Sequence, residues 1–353
     1  MRINFNRIIK RWLIAVAMMS FLFSQAPASA QKLSYGAAES FVEVHGFVDL
    51  KYQDFEADGE RKGVSTFDNH HFELFFKSEI RENLLVIGEI EYEHGGEILE
   101  LDRAEFILKL SEAATVSAGR FYTPFGIEIF TWYSTTNKFI SRPLPMRQIV
   151  PGNWYANGVK LTGAIPLGTI GLNYVLSLSN GLKGPKRGDR QFRDNNDNKT
   201  VTGRVGFKPI QGLEFGSSYS TGKYDDKSQY TLNFLGGDVN FQWQALNVRG
   251  EYVRGFVDGK NGGFHRDGFY LQAALKILQD KKIVHYLEPV IRFDTINPND
   301  KIADNSDQSR ITLGLNYSPY PYYLLKAEYQ LIREDNGKNL SNDGFQFMVV
   351  ADF

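Results

Sequence analysis

The histidines and carboxylates of this 353-residue chain are the side chains with the chemistry to bind a metal ion. Its six histidines include the adjacent pair His70 and His71, and no two of them are spaced i, i+4 as ligands on one helix would be. Successive residues of a strand point to opposite faces, so the pattern predicts that this pair does not bind one ion together. Glutamates at positions 89, 91 and 93 share one strand face. This row could form a cation site, but we interpret it as a solvated wall paired with basic residues across the barrel. We therefore predict no metal site and no cofactor.

The sequence contains no recognisable motif for covalent catalysis. There are no cysteines, which excludes disulfides, thiolate metal ligands and a cysteine nucleophile. The chain also lacks a Gly-x-Ser-x-Gly segment and a phosphate-binding glycine loop. We therefore expect that the protein is not an enzyme.

Charged and apolar residues alternate along most of the chain. Glu105 and Lys109 share one parity, for example, and Phe106 and Leu108 share the other. A period of two predicts strands with one face in a low-dielectric medium and one face in water. Basic and acidic residues on the charged face are nearly equal in number. The residues expected to line this polar wall include Arg103, Glu105, Lys109, Arg249, Glu251, Arg292 and Lys326.

The alternating segments number sixteen, and the connections between them are short on one side and long on the other. Lipid cannot hydrogen-bond a strand edge, so strands in a membrane must close on themselves, and segregated loop lengths are typical of outer-membrane barrels. We predict an all-β fold, a closed antiparallel transmembrane β-barrel of about 16 strands. The predicted strands lie near residues 41–52, 69–79, 84–93, 100–110, 115–121, 154–164, 169–179, 200–208, 212–220, 230–241, 246–254, 268–277, 285–295, 309–317, 323–332 and 344–353.

The longest predicted connection is the third long loop, residues 122–153. Its many apolar residues and prolines argue against disorder, so it needs a surface to pack on. We predict that it folds into the barrel lumen and narrows the channel, and the alternative is a lid over the outer mouth. The loop carries a net charge of +2, which predicts a weak preference for anions. Its charged residues are Glu128, Lys138, Arg142 and Arg147.

The first 30 residues are expected to be a cleaved signal peptide, and residues 31–353 the barrel. An apolar run at 12–23 and the small-residue segment at 28–30 fit export and cleavage. Removing the four basic residues of this leader from a chain of net charge -1 leaves -5, so no nucleic-acid partner is expected. An exported barrel predicts the outer membrane of a Gram-negative-type cell. The leader's basic residues are Arg2, Arg7, Lys10 and Arg11.

Several segments resemble the outer-membrane porins of the phosphate-selective porin O/P type. They are Gly-Arg-Phe-Tyr-Thr-Pro-Phe-Gly at 119–126, Asn-Gly-Val-Lys-Leu-Thr-Gly at 157–163, Gly-Phe-Tyr-Leu-Gln-Ala at 268–273 and Leu-Glu-Pro-Val-Ile-Arg-Phe-Asp at 287–294. The chain also resembles outer-membrane barrels in ending on an aromatic residue, Phe353. The resemblance implies a sixteen-stranded barrel, commonly a homotrimer, with a pore-narrowing third loop.

Together these patterns predict a porin, a passive diffusion channel for small hydrophilic solutes or ions, in contact with outer-membrane lipid. Phosphate-selective members of the family have an excess of Arg and Lys in the pore, whereas the predicted wall is nearly balanced. A cationic ladder that could replace the hydration of phosphate is therefore not expected. The alternatives are a plugged structural or adhesin barrel, and a barrel enzyme.

Overall fold

The computed structural model describes most of the predicted barrel segment. The described residues are 31–34, 41–168, 170–260, 262–280, 284–302, 307–334 and 340–353. The predicted signal peptide, residues 1–30, lies outside them.

A four-residue strand, β1 (Gln31–Ser34), precedes sixteen longer strands. The longer strands are β2 (Phe41–Phe55), β3 (Thr66–Arg81), β4 (Leu84–Glu93), β5 (Ile98–Lys109), β6 (Thr115–Tyr122), β7 (Tyr155–Leu167), β8 (Ile170–Ser179), β9 (Thr200–Ile210), β10 (Leu213–Lys223), β11 (Thr231–Trp243), β12 (Leu246–Val257), β13 (Phe264–Leu275), β14 (Tyr286–Asn297), β15 (Gln308–Ser318), β16 (Tyr323–Glu334) and β17 (Gly344–Asp352).

The sixteen longer strands form a closed ring. Each pairs antiparallel with the next along the chain, and β17 pairs with β2 to complete the barrel. The pairing of β1 with residues 41–44 extends one edge of β2. Closure leaves the ladder without a free edge through the barrel, as a strand protein in lipid requires. The predicted fold class and strand number are confirmed.

Most connections alternate between short turns and longer loops, as the sequence predicts. The exceptions are the four residues between β4 and β5 and the ten residues between β13 and β14. Two residues join β3 to β4, whereas 32 residues, 123–154, join β6 to β7. This longest connection contains a 3-10 turn (Glu128–Phe130) and a one-turn helix, α1 (Leu144–Gln148). Among the described residues, no helix combines the length and hydropathy that a membrane span needs.

The two faces of the sheet differ in polarity. Large apolar side chains are exposed on one face, including Phe106 at 64%, Leu271 at 51% and Ile291 at 50%. Charged side chains such as Arg292 and Asp294 are fully buried on the other face, inside the ring. An exposed apolar belt on a closed barrel matches a lipid-facing surface.

The largest apolar core lies between the 123–154 segment and the inner face of the barrel. Phe125 and Trp154 pack against Phe234 of β11 with ring centroids 5.9 and 5.4 Å apart, and Val253 of β12 belongs to the same cluster. Burial of these side chains explains why the long connection is rich in aromatic residues.

Candidate pore-lining site

The 123–154 segment is hydrogen-bonded to inward-facing side chains on opposite sides of the ring. The Gly126 backbone N–H donates to Ser218 Oγ on β10 at 3.0 Å. The Ser134 hydroxyl donates to Asp49 Oδ2 on β2 at 2.5 Å. Strands β10 and β2 are eight positions apart in a ring of sixteen, so residues 126–134 extend from one side of the barrel to the other.

Glu251 on β12 binds the start of this segment. Its carboxylate accepts the backbone N–H groups of Ile127 and Glu128 at 2.9 and 2.8 Å, and the Tyr270 hydroxyl donates to it at 2.6 Å. On the same strand, the Arg249 guanidinium donates to Thr131 Oγ1 at 2.5 Å. Both predicted wall residues therefore hold the loop.

A second anchor lies on β14 and β15. Arg292 is fully buried and donates to Ser141 O at 2.9 Å and to Ser141 Oγ at 2.7 Å, while its Nε pairs with Asp294 at 2.9 Å. Arg310 also pairs with Asp294, at 3.0 Å, and donates to the carbonyl of Arg142 at 2.7 Å. Because charge-assisted hydrogen bonds are strong in a low-dielectric interior, this cluster fixes the segment firmly.

The remaining predicted wall residues have three different environments. Lys326 is buried on β16 and donates to the carbonyl of Asn137 at 2.5 Å, so it also contacts the segment. Arg103 and Glu105 on β5 pair with each other at 3.0 Å, and Lys160 pairs with Glu105 at 2.8 Å. Lys109 is exposed at the end of β5, beside a short turn.

The predicted loop charges are largely neutralised in pairs. Arg142 forms a two-point pair with Glu128, with distances of 2.9 and 2.6 Å. Burial alone would lower the pKa of the Arg142 guanidinium, but the Glu128 carboxylate outweighs burial and holds that pKa above its ordinary value. Lys138 pairs with Glu288 of β14 at 2.8 Å. Arg147, in the last turn of α1, lines the main cavity described next.

A cavity of about 460 Å³ lies between the segment, the inner wall and the loop 180–199. Its described lining carries five basic side chains against two acidic ones, Asp68 and Glu93. The basic residues are Lys51, Arg142, Arg147, Arg187 and Arg190. The lining has a net charge of +3 by this count, and the pairs of Arg142 with Glu128 and of Arg190 with Glu100 reduce the resulting positive potential.

Two of these arginines were not among the predicted site residues. Arg187 and Arg190 belong to the loop 180–199, and Arg190 donates to the carbonyl of Asn153 at 3.1 Å and pairs with Glu100 at 3.3 Å. The excess of basic residues between positions 183 and 193 was the available signal. The alternating pattern of the strands could not identify these two arginines, because they lie in a loop.

The expected geometry of His70 and His71 was wrong. Asp49 pairs with His71 and Leu50 pairs with Asn69, so a bulge leaves His70 without an opposite residue. A bulge interrupts the alternation of side chains. Both rings therefore lie on the inner face, with centroids 3.7 Å apart, and both line the cavity.

The expected solvated glutamate wall was also wrong. Glu89 and Glu91 are each 1% exposed. The hydroxyls of Tyr122 and Tyr133 donate to Glu89 at 2.5 and 2.9 Å. Burial follows because the 123–154 segment covers this part of the wall.

A sixteen-stranded antiparallel barrel with an apolar outer face, a charged inner face and a long inward-bonded third loop has the fold of outer-membrane porins. No protein-family model matches the chain. An uncharacterized protein of Aquifex aeolicus (strain VF5) is 24% identical over 355 residues, which cover 88% of this chain and 79% of that protein.

Solved structures with the same fold include three outer-membrane proteins. The anion-selective porin from Comamonas acidovorans has a TM-score of 0.66 and 13% identity, covering 89% of this chain and 100% of that chain. The outer membrane channel DcaP of Acinetobacter baumannii has a TM-score of 0.60 and 11% identity, covering 91% and 100%. In-vitro folded OmpT of Vibrio cholerae in its trimer form has a TM-score of 0.59 and 11% identity, covering 89% and 99%.

Proposed function

We propose that this protein is a porin, a passive diffusion channel for small hydrophilic solutes or ions. One observation carries the proposal: a closed ring of sixteen strands has apolar side chains outside and ionic side chains inside. A water-filled bore through such a ring needs no catalytic group, because solutes move down their own gradients. The likeness to solved porins and channels supports this role.

The 123–154 segment is proposed to be the constriction. Its hydrogen bonds to β10, β12 and β2 support a position across the bore, where it would set the size limit for solutes. The five basic residues of the main cavity support a weak preference for anions. Arg142 contributes less than the other cavity residues, because it is paired with Glu128, and the loop residue Lys138 is likewise paired with Glu288.

Phosphate selectivity is not part of the proposal. Several basic side chains of the wall are paired with carboxylates or bind the segment. Arg292 pairs with Asp294, and Arg204 pairs with Asp238. A cation paired at this distance offers little to a strongly hydrated anion. We propose that the chain shares ancestry with porins of the phosphate-selective O/P type, which its segments at 119–126, 157–163, 268–273 and 287–294 resemble.

Location and assembly follow from the same proposal. A barrel with an apolar belt belongs in the outer membrane, in contact with its lipid, after export and cleavage of residues 1–30. We propose a homotrimer, which the family resemblance implies and the trimer form of the Vibrio cholerae protein supports. Native mass spectrometry in detergent would test the trimer, and a single species at the mass of one chain would contradict it.

Planar-bilayer recording across a salt gradient tests the function. We expect stable stepwise openings and a reversal potential displaced slightly towards the equilibrium potential of the anion. A folded barrel that stays electrically silent would contradict the proposal and favour a plugged structural barrel. Lipase or protease activity of the folded protein would instead favour a barrel enzyme.

A further inference from the structure

The His71 imidazole has a carboxylate fixed at one of its nitrogens. His71 Nδ1 lies 2.8 Å from Asp49 Oδ2. Asp49 also accepts the backbone N–H of His71 at 3.1 Å and the Ser134 hydroxyl at 2.5 Å. These contacts fix the orientation of the His71 ring through Nδ1. The other ring nitrogen, Nε2, points away from Asp49.

His71 Nε2 faces two more acidic side chains. His71 Nε2 lies 3.4 Å from Glu91 Oε1 and 3.8 Å from Glu93 Oε1. Glu91 is 1% exposed, and neither of its oxygens has a hydrogen-bond partner among the described residues. A buried carboxyl group without a hydrogen-bond partner is costly, and a cation bound between the three side chains would supply the missing partner.

We propose that His71 Nε2, Glu91 and Glu93 bind a divalent transition-metal ion, with Zn²⁺ as the representative. The ligand atoms lie within 4.8 Å of one another. Zinc bonds of about 2.0–2.2 Å in tetrahedral geometry place ligand atoms about 3.4 Å apart. The distances of 3.4 and 3.8 Å from His71 Nε2 to the two glutamate oxygens are close to this ligand-to-ligand separation.

The surroundings have the other features of such a site. Asp49 occupies the position of the carboxylate in a carboxylate–histidine–zinc arrangement, and it orients the His71 ring. His71 and Glu93 line the main cavity, so a fourth coordination position faces space that water or a small anion can reach. The buried carboxyl groups of Glu73 and Asp102 lie next to Glu91, with one oxygen of each within 4.8 Å of the others.

The ligand set distinguishes between classes of cation. One imidazole and two carboxylates suit Zn²⁺ and its neighbours in the first transition row. Calcium takes six to eight oxygen ligands, and magnesium keeps several waters around few carboxylates. Zn²⁺ is therefore expected to bind far more tightly than Ca²⁺ or Mg²⁺.

Calorimetric titration of the folded full chain in detergent tests this proposal, with Zn²⁺ as the probe. We expect saturable binding with one ion per chain. His71→Ala is expected to abolish it, and Asp49→Asn to weaken it by about 10- to 100-fold, as outer-shell changes do. His265→Ala is the matched control, because His265 pairs with Asp300 at 2.9 Å in an exposed position and should leave binding unchanged.

Glu93→Gln guards against a folding defect. Glu93 ends β4, and its side chain is 21% exposed, so this change should preserve the barrel while reducing Zn²⁺ affinity at least tenfold. Heat-modifiable gel migration would verify that each variant is folded. Absence of saturable Zn²⁺ binding, or equal binding in the His71→Ala and His265→Ala proteins, would overturn the site. The binding readout does not depend on conductance, so it stands or fails separately from the proposed channel.

Discussion

Individual charged residues on the inner wall perform two different tasks. Arg292, Lys326 and Glu251 are buried and bind the 123–154 segment directly. Lys51 of the wall and Arg147 of the segment itself line the main cavity instead. Changes in the first group should alter stability and loop position, whereas changes in the second should alter the ions that pass.

Arg147→Glu is expected to shift ion preference towards cations. The substitution replaces a positive charge at the cavity with a negative one, and a charge close to the bore acts on passing ions with little screening. The reversal potential in a salt gradient measures the shift. Lys227→Glu makes the same change of charge in an exposed outer loop and should move the potential far less. Equal potentials in the two variants would contradict the assignment of the cavity.

Glu251→Ala is expected to release the start of the segment. It removes the acceptor for two backbone N–H groups and the Tyr270 hydroxyl, and should cost about 1–3 kcal/mol in the free energy of unfolding. Limited proteolysis should then cut within 123–154 while the barrel stays intact. Glu43→Ala is the control, since Glu43 pairs with Lys77 on the wall. A segment as resistant as in the unchanged protein would contradict the anchoring role.

At the scale of elements, the strands follow from alternation and the bulges do not. The observed strands differ from the predicted ones mainly in length, as when β10 continues to Lys223 and β13 begins at Phe264. The alternation of apolar and polar residues predicts which face of a strand contacts lipid and which contacts water, and it can be read from one strand alone. A bulge depends on the partner strand as well, so the shared face of His70 and His71 could not be predicted from β3 alone.

Gly119 shows a second break of alternation in β6. Its φ of +132° is a backbone conformation that side chains rarely adopt, and an added Cβ would lie 2.0 Å from the carbonyl oxygen of Ala104. After this break, Arg120 is only 6% exposed, with its guanidinium 3.9 Å from the Tyr155 ring centroid and 4.6 Å from that of Phe192. Alternation with Val116 and Ala118 alone would place Arg120 on the outer face, and its contact with Phe192 depends on where the loop 180–199 lies.

Leu313→Arg tests the lipid-facing side of a strand. Leu313 stands at the middle of β15 and is 47% exposed, so an arginine there would face hydrocarbon. The expected loss is about 2–4 kcal/mol of folding free energy at mid-membrane depth. Tyr320→Arg, in an exposed short turn, should cost about 0–1 kcal/mol. Equal unfolding midpoints for the two variants in lipid vesicles would contradict this orientation.

At the scale of the whole molecule, the apolar belt determines solubility. Exposed residues such as Phe106, Leu176 and Phe269 belong to different strands around the ring, so the apolar surface is spread over the circumference. Patches of this extent are rare on monomeric soluble proteins.

The folded protein is therefore expected to need an amphiphile. It should be monodisperse by size-exclusion chromatography in detergent and should precipitate when the detergent is removed. Heating should also change its gel migration as the barrel unfolds. A folded species that remained monodisperse in plain buffer would contradict the lipid-facing belt.

The seam of the barrel joins positions that are far apart in the chain. Gly46 and Phe353 each donate a backbone N–H to the other's carbonyl at 2.8 Å, beside the β2–β17 ladder. Closing contacts of such long range are slow to find, because the intervening chain must first be ordered. Because the chain is synthesised from the amino end, the edge of β2 that pairs with β17 stays unpaired until β17 has been made. A holding chaperone or an assembly catalyst would be most valuable to this protein in that interval.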